Sequence, residues 1–258
     1  MDRIFIDTHT HYDDEKFDPD RESVISELIH KGVKCVINAG SDVESSQRSM
    51  DLAAKHDFMR FAAGIHPHCA QSAPPDFEAA LASFFSAAGK AVAVGEIGLD
   101  YYYDFSPRET QKEVFARQLV FSGKVGAPVV IHNRLSDNDI IDIIKAHINS
   151  IVGGVFHCFS GDRQLARKAL DLGFHISFGG SLTFKKSFDI AEAAAYAPDD
   201  RIMMETDCPY MSPEPYRGRR NDSSRIGLIA ARIAQIRNVS LEETARITSE
   251  NAGRLFAV

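Results

Sequence analysis

Short apolar runs recur along the whole chain and alternate with longer stretches that carry the punctuation of helices. Several runs consist almost entirely of Val, Ile, Ala and Phe, which is typical of strands buried on both faces of a parallel sheet. The pattern predicts eight strands, at Arg3–Ile6, Lys34–Ala39, Phe61–Ile65, Ala91–Val94, Pro128–Ile131, Val152–Phe156, His175–Phe178 and Ile202–Met204.

The stretches between these strands contain signals for the beginning of helices. Ser41–Glu44 and Ser106–Glu109 both have the spacing of a capping box, the second with proline at the first helical position. Ser240–Glu243 predicts a further helix after the eighth strand-helix unit.

Eight strands, each followed by a helix, are the elements of a closed (β/α)8 barrel of the TIM type, here with an extra C-terminal helix. The 258 residues fit this α/β fold, which needs about 250, so we predict a single domain over residues 1–258. An open doubly wound sheet is the alternative. It usually has fewer strands and a glycine-rich phosphate loop, and the sequence has neither a GxGxxG nor a Walker motif.

Composition narrows the classes of function. The net charge of −7 argues against coating duplex nucleic acid by charge alone, although cations held by an acidic pocket could still present positive charge to a phosphate. No apolar stretch approaches the roughly 20 residues that span a bilayer, and the N-terminus has no signal-peptide pattern. We therefore expect a cytoplasmic protein without membrane contact. Its four cysteines, without CxxC spacing, are predicted to be reduced thiols.

Histidines and carboxylates follow the predicted strands where those strands end, which is where a barrel places its active site. His9 and His11 lie two residues apart on an extended segment, so both rings point to the same side and can reach one ion. Glu96 has two oxygens and can bridge two ions, with a structural ion pair as the alternative role. The predicted metal ligands are His9, His11, Glu96, His132, His157 and Asp207.

Strand eight neighbours strand one in a closed barrel, so Asp207 is predicted to lie beside His9 and His11. There it could bind an ion and also accept a proton from an attacking water, which with Glu96 makes it a candidate catalytic residue. Glu205 is predicted to be a buried structural partner. His66 is a candidate for contacting substrate or orienting a ligand, with an ordinary loop histidine as the alternative.

Basic residues gather in the predicted loops at the same end of the barrel, despite the acidic total. Arg134 follows His132, Lys185 and Lys186 follow strand seven, and Tyr216–Arg220 lies in the last loop. An aromatic ring beside guanidinium groups suits bases and phosphates, so Arg134 and the loop Arg217–Arg220 are expected to hold substrate phosphates. Arg134 and Arg217 are the candidate substrate-binding residues, with a solvated charge run as the alternative.

Together these segments resemble the TatD family of metal-dependent deoxyribonucleases, within the amidohydrolase-like barrels. The resemblance is carried, in the family's order, by Asp7–His11, Gly64–His68, Gly95–Tyr101, Val130–His132, Phe156–Gly161, Glu205–Tyr210 and Asn251–Phe256. It implies one metal ion held by His9, His11, Glu96 and Asp207 and a second held by Glu96, His132 and His157. Asn133–Ser136 and Gly179–Ser181 depart from the family's usual pattern, which bears on substrate preference.

The ligand set predicts a hydrolase with two divalent metal ions, for which Zn, Mn, Ni and Mg are all suitable. Similarity to the family implies 3′→5′ exonuclease action on single-stranded DNA or RNA. We expect no obligate protein partner, since the sequence gives no sign of one. The same centre could polarise a carbonyl, so an ester or amide hydrolase, such as a D-aminoacyl-tRNA deacylase, is one alternative. A non-catalytic, metal-bound binding module is the other.

Overall fold

A computed structural model describes residues 4–86 and 90–258, so Arg3, at the start of the first predicted strand, lies outside the described residues. The strands are β1 Phe5–Thr10, β2 Val33–Ala39, β3 Met59–Ala63, β4 Ala91–Asp100, β5 Val129–Arg134, β6 Gly154–Phe156, β7 His175–Phe178 and β8 Ile202–Met204. The α-helices are α1 Arg21–Glu27, α2 Val43–Lys55, α3 Phe77–Ser86, α4 Arg108–Val125, α5 Asp137–Ala146, α6 Arg163–Asp171, α7 Phe188–Tyr196, α8 Ile226–Arg237 and α9 Leu241–Phe256.

The eight strands form one parallel sheet in the order in which they occur along the chain, with helices between them. The sheet curls until its last strand meets its first. There the amide of Asp207 donates to the carbonyl of His9 at 3.0 Å, and the amide of His11 donates to that of Cys208 at 2.7 Å. The predicted (β/α)8 barrel is therefore confirmed, and its closure brings the residues after β8 beside the end of β1.

The interior of the barrel is filled by one buried side chain from each of several strands. This interior cluster contains six strand residues and two residues of α9. They are Ile37, Ala62, Ala93, Val130, Val155 and Met203, with Ala252 and Phe256 from α9. The C-terminal helix therefore packs against the barrel interior and contributes to its core. A larger buried cluster joins the outer faces of the strands to the helices. One continuous sheet and a shared core support a single domain. The assignment of residues 1–258 to one domain stays a prediction.

The predicted helix caps are only partly correct. Ser240 caps α9 as predicted, accepting from the amide of Glu243 at 3.0 Å. The box at α2 is one residue later than predicted, with Asp42 and Ser45 in place of Ser41 and Glu44. At α4 the prediction is wrong.

The Ser106 hydroxyl does not cap α4, because it accepts from the amide of Gln71 and donates to the carbonyl of His68, both at 3.0 Å. Competing contacts to a neighbouring loop have replaced the local cap. All four cysteines are free thiols, as expected. Among the described helices, none combines the length and apolar character that crossing a bilayer requires.

Strand β4 is longer than predicted, continuing through Asp100, and it carries a glycine at a place of close approach. Gly98 has φ +145°, and a β-carbon on it would lie 1.9 Å from the carbonyl oxygen of His132 on β5. Glu96, Gly98 and Asp100 alternate along the strand and therefore share one side. Because Gly98 has no side chain, the backbone of β5 at His132 can lie against β4 between the carboxylates of Glu96 and Asp100.

We predict that Gly98→Ala lowers the free energy of unfolding by at least about 3 kcal/mol, because an unfavourable backbone conformation adds to overpacking. Gly173→Ala is the matched control, since Gly173 also has positive φ (+84°) but a β-carbon there would meet no atom within 4 Å. It should cost about 1–2 kcal/mol. Urea unfolding curves measure both, and equal costs would contradict the steric argument.

Candidate metal centre

The six predicted ligands converge at the C-terminal ends of their strands, at the floor of a cavity of about 1370 Å³. Five of the six line the cavity, and His9 is fully buried beside them. They come from distant parts of the chain, because β1, β4, β5, β6 and β8 each deliver a side chain to the same end of the barrel. The structure thus brings together all six residues that the sequence singled out.

One group of donors surrounds the two histidines of β1. The Nε2 atom of His9 lies 3.1 Å from Nε2 of His11 and 3.2 Å from Oε2 of Glu96. Oδ1 of Asp207 lies 3.5 Å from Nε2 of His11, which confirms that the end of β8 meets the end of β1. Tetrahedral donors bound at about 2.1 Å are roughly 3.4 Å apart. His9, His11 and Asp207 already have the spacing that one cation requires, and Oε2 of Glu96 lies within 3.7 Å of both histidines.

A second group of donors surrounds the other oxygen of Glu96. Oε1 lies 2.7 Å from Nδ1 of His132, 2.7 Å from Nε2 of His157 and 3.4 Å from Nε2 of His66. The two carboxylate oxygens therefore face different sets of histidines, as a bridging ligand would. The two shortest separations are hydrogen-bonding distances, so a cation here would require these atoms to move apart by several tenths of an ångström.

Charge in the site favours ionised carboxylates. Burial by itself would raise the pKa of Glu96, but the surrounding His157, His66 and His9 hold that pKa well below its usual range. Burial opposes ionisation of Asp207 as well, yet a hydrogen bond from His11 and the charges of nearby histidines lower the pKa of this carboxyl group. Both groups are therefore anionic at neutral pH and able to bind a cation or accept a proton.

The orientation of His11 also suits a ligand. Its Nδ1 lies 3.1 Å from the carbonyl oxygen of Ala39, which can only accept, so Nδ1 donates and the lone pair of the neutral ring is on Nε2. Although burial alone would lower it, Asp207 and Glu96 raise the pKa of His11 to about 9. A cation bound at Nε2 must therefore displace a proton, which makes binding dependent on pH.

Glu205 has the structural role that was predicted for it. The residue is fully buried, and its Oε1 accepts from the amide of Cys158 and lies 3.3 Å from Nδ1 of His157. A carboxylate against the far nitrogen of a histidine fixes the ring so that the other nitrogen faces the ligand cluster.

Asp100 belongs to the site, although the sequence analysis did not single it out. It is fully buried, and its Oδ2 accepts from Nε2 of His132 at 3.2 Å and Nε2 of His68 at 2.8 Å. The available signal was its position four residues after Glu96, which places both carboxylates on one side of the strand once β4 is extended to that point. Asp100 orients His132 as Glu205 orients His157.

The predicted substrate-contacting residues differ in where they lie. His66 is buried within the donor cluster itself, and burial lowers its pKa to about 4, so its ring is neutral at physiological pH. Arg134 is exposed and lines the cavity. Arg217 is exposed, packs its guanidinium carbon 4.3 Å from the centre of the Phe184 ring, and is not among the residues that line the cavity.

The basic loop contributes less free charge than predicted. The guanidinium of Arg220 donates two hydrogen bonds of 2.7 Å to the carboxylate of Asp20 and lies over the ring of Phe17. Arg220 therefore stabilises the loop. Its guanidinium is occupied by Asp20, so it is not free to hold a substrate phosphate as expected.

Comparison with known proteins gives a consistent family assignment. The model of the TatD related DNase family matches residues 6–257. An uncharacterized metal-dependent hydrolase of Bacillus subtilis, YabD, is 39% identical over 255 residues, covering 99% of this chain and 100% of its own length. A protein of Rahnella named 3′-5′ ssDNA/RNA exonuclease TatD is 31% identical and covers 94% of each chain. The crystal structure of YjjV, a TatD homologue from Escherichia coli K12, superposes with a TM-score of 0.93 at 29% identity over both full chains.

We predict that Glu96→Ala lowers metal affinity by more than about 100-fold, since even outer-shell partners of metal ligands contribute 10–100-fold. Elemental analysis after dialysis against Zn²⁺ or Mn²⁺ measures the metal retained per chain. Glu192→Ala, an exposed glutamate on α7, is the control and should retain wild-type metal content. Unchanged metal content in a folded Glu96→Ala protein would rule out Glu96 as a ligand.

Proposed function

This chain belongs to the TatD related DNase family of metal-dependent hydrolases, and we propose that it removes nucleotides from the 3′ end of single-stranded DNA or RNA. The proposal includes two divalent cations, one held by His9, His11, Glu96 and Asp207 and one by Glu96, His132 and His157. One observation carries it above the others: the two oxygens of Glu96 face two different sets of histidines at the floor of an open cavity.

Bound cations in such a site supply Lewis acidity, neutralise phosphate charge and lower the pKa of water. The protein's own contribution begins with Asp207, which lies at the cavity wall with φ +57°, so the chain turns there and directs the carboxylate towards His11. Held ionised by the neighbouring histidines, Asp207 accepts the proton of the attacking water. The water oxygen bonds to phosphorus as the P–O3′ bond breaks, so the released nucleotide keeps the phosphate on its 5′ oxygen. The leaving O3′ takes a proton from solvent water and becomes the 3′-hydroxyl of the shortened strand.

Binding of the polynucleotide falls to residues higher in the cavity. The guanidinium of Arg134 is exposed at the wall of the same cavity as Glu96 and can form charge-assisted hydrogen bonds to phosphate. Likeness to the Rahnella exonuclease over 94% of each chain supports a single-stranded substrate and the 3′→5′ direction for this protein too. The net charge of −7 is compatible with this, because the cations and a few arginines would provide the positive charge locally.

The test is digestion of a 5′-end-labelled single-stranded oligonucleotide by metal-stripped protein, with Mg²⁺, Mn²⁺ or Zn²⁺ added back. We expect metal-dependent shortening from the 3′ end. Asp207→Asn should slow turnover by about 100- to 10,000-fold, because a general base is lost. Cleavage of aminoacyl esters without shortening of the strand would instead assign an acyl hydrolase. Metal binding without turnover on esters or diesters would indicate a binding module.

Arg134→Ala should raise the KM of an oligonucleotide by about 10- to 150-fold, because one charge-assisted phosphate contact contributes about 1.5–3 kcal/mol. Arg217→Ala should weaken nucleic-acid binding by a smaller factor, since Arg217 lies outside the cavity lining. Both variants should retain wild-type metal content. A larger effect at Arg217 than at Arg134 would place the strand across the last loop and contradict the proposed path.

A further inference from the structure

An exposed group of aromatic rings lies beside the metal centre and has no role in the chemistry described so far. Tyr102, Tyr103 and Phe105, in the loop between β4 and α4, keep 58%, 47% and 64% of their surface exposed. We call these three residues the aromatic shelf. Large apolar side chains that lie together at an open surface mark binding sites. A single exposed ring would not indicate one.

The rings of the shelf are arranged against one another and against a cation. Tyr103 and Phe105 stack with centroids 5.2 Å apart and planes 21° apart, and Tyr102 meets Tyr103 edge to face at 4.9 Å. The guanidinium carbon of Arg134 lies 4.2 Å from the centre of the Tyr102 ring and 4.8 Å from that of Tyr103. Exposed aromatic rings with a positive charge beside them suit a flat ring that is attached to a phosphate.

The shelf is attached to the ligand cluster through one buried carboxylate. Oδ1 of Asp100 accepts from the amides of Tyr102 and Tyr103, both at 2.9 Å, while Oδ2 of the same group accepts from His132 at 3.2 Å. Tyr103, Phe105 and Arg134 line the same cavity as Glu96. The distance between the shelf and the metal centre is therefore set by a buried side chain and does not depend on a loose loop.

The part of the cavity lining that follows β1 and β2, which lie across the barrel from β5, is unsuited to a polyanion. This wall contains six acidic residues, Asp13, Asp14, Glu15, Asp18, Asp42 and Asp51, and three basic ones, Arg21, Arg48 and Lys55. Arg21 and Arg48 pair with acidic side chains of that wall at 2.5 and 3.4 Å, and Lys55 pairs with Glu22 at 3.8 Å. Repulsion from this wall directs a phosphate chain to the side on which Arg134 and the shelf lie.

We propose that the aromatic shelf binds an unpaired nucleobase of the substrate strand, next to the phosphodiester bond at the metal centre. The inference rests on the proposed nuclease function and deepens it, because it explains a preference for single strands. A base within a duplex has both faces stacked and its edge paired, so it must be extruded before it can reach the rings. An unpaired terminal base has a free face and pays no such cost.

The test is fluorescence anisotropy of a labelled single-stranded oligonucleotide with the full-length, metal-loaded protein, in which phosphorothioate linkages at the 3′ end of the oligonucleotide resist cleavage. The same oligonucleotide with abasic 3′-terminal and penultimate nucleotides is the comparison. Wild type should bind the abasic strand about 5- to 150-fold more weakly, as expected for loss of base stacking. Phe105→Ala and Tyr103→Ala should weaken binding of the normal strand by a similar factor and lose the difference between the two strands.

Two further variants separate stacking from folding. Phe105→Tyr keeps an aromatic face and should retain the preference for a base. Phe188→Ala removes a phenylalanine on α7 that is 77% exposed and does not line the cavity, so it should bind both strands as wild type does. Urea unfolding curves should show that all four variants are as stable as wild type.

The outcomes distinguish this inference from the proposed function. Equal binding of normal and abasic strands by wild type, or no binding of either, would overturn the shelf. Cleavage from the 3′ end without base preference would leave the nuclease proposal standing while overturning the shelf, whereas base-dependent binding without cleavage would do the reverse. A shelf variant that changes the mass in solution but not base preference would assign the rings to contact between copies of this chain.

Discussion

A buried carboxylate, Glu96, is the constraint on which the rest of the site depends. Leaving a carboxylate buried without charge partners is costly, so the fold must supply compensation at this point. It does so with nitrogens of His9, His11, His66, His132 and His157, all within 3.7 Å of the two oxygens. Only a closed barrel brings four separate strand ends around one carboxylate, which is why closure between β8 and β1 matters as much as the ligands themselves.

Two further buried carboxylates fix the orientation of histidines around Glu96. Glu205 faces His157 and Asp100 faces His132, so each of these two histidines on the Oε1 side of Glu96 has a carboxylate beyond it. Asp100 also anchors the backbone of Tyr102 and Tyr103, so the position of the cavity rim is coupled to the orientation of a candidate ligand. The close approach at Gly98 is part of the same construction, because it lets β5 bring His132 between Glu96 and Asp100.

The cavity itself separates chemistry from recognition. At its floor the carboxylates and imidazoles are arranged for cations, and this arrangement is indifferent to whether the scissile bond is a phosphodiester or an ester. Above the floor the walls differ: one is dominated by acidic residues, and the other carries Arg134 with exposed rings. The proposed function therefore assigns selectivity for a nucleic-acid strand to the walls, whereas the family assignment rests on the whole chain and its fold.

The eight strands, the extra C-terminal helix and the convergence of the six candidate ligands were predictable from the sequence, because buried parallel strands are continuously apolar and their carboxyl ends share one rim. The cap at Ser106 and the phosphate contact expected of Arg220 were not, since each side chain found a partner distant in sequence. Asp100 was overlooked because β4 continues beyond the apolar run from which the strand was predicted, and Asp100 is its last residue. Local patterns thus determined which elements form and which residues face the rim. Tertiary structure alone decided which buried acid orients which histidine, and which arginines remain free, because those pairings join residues that only the closed barrel brings together.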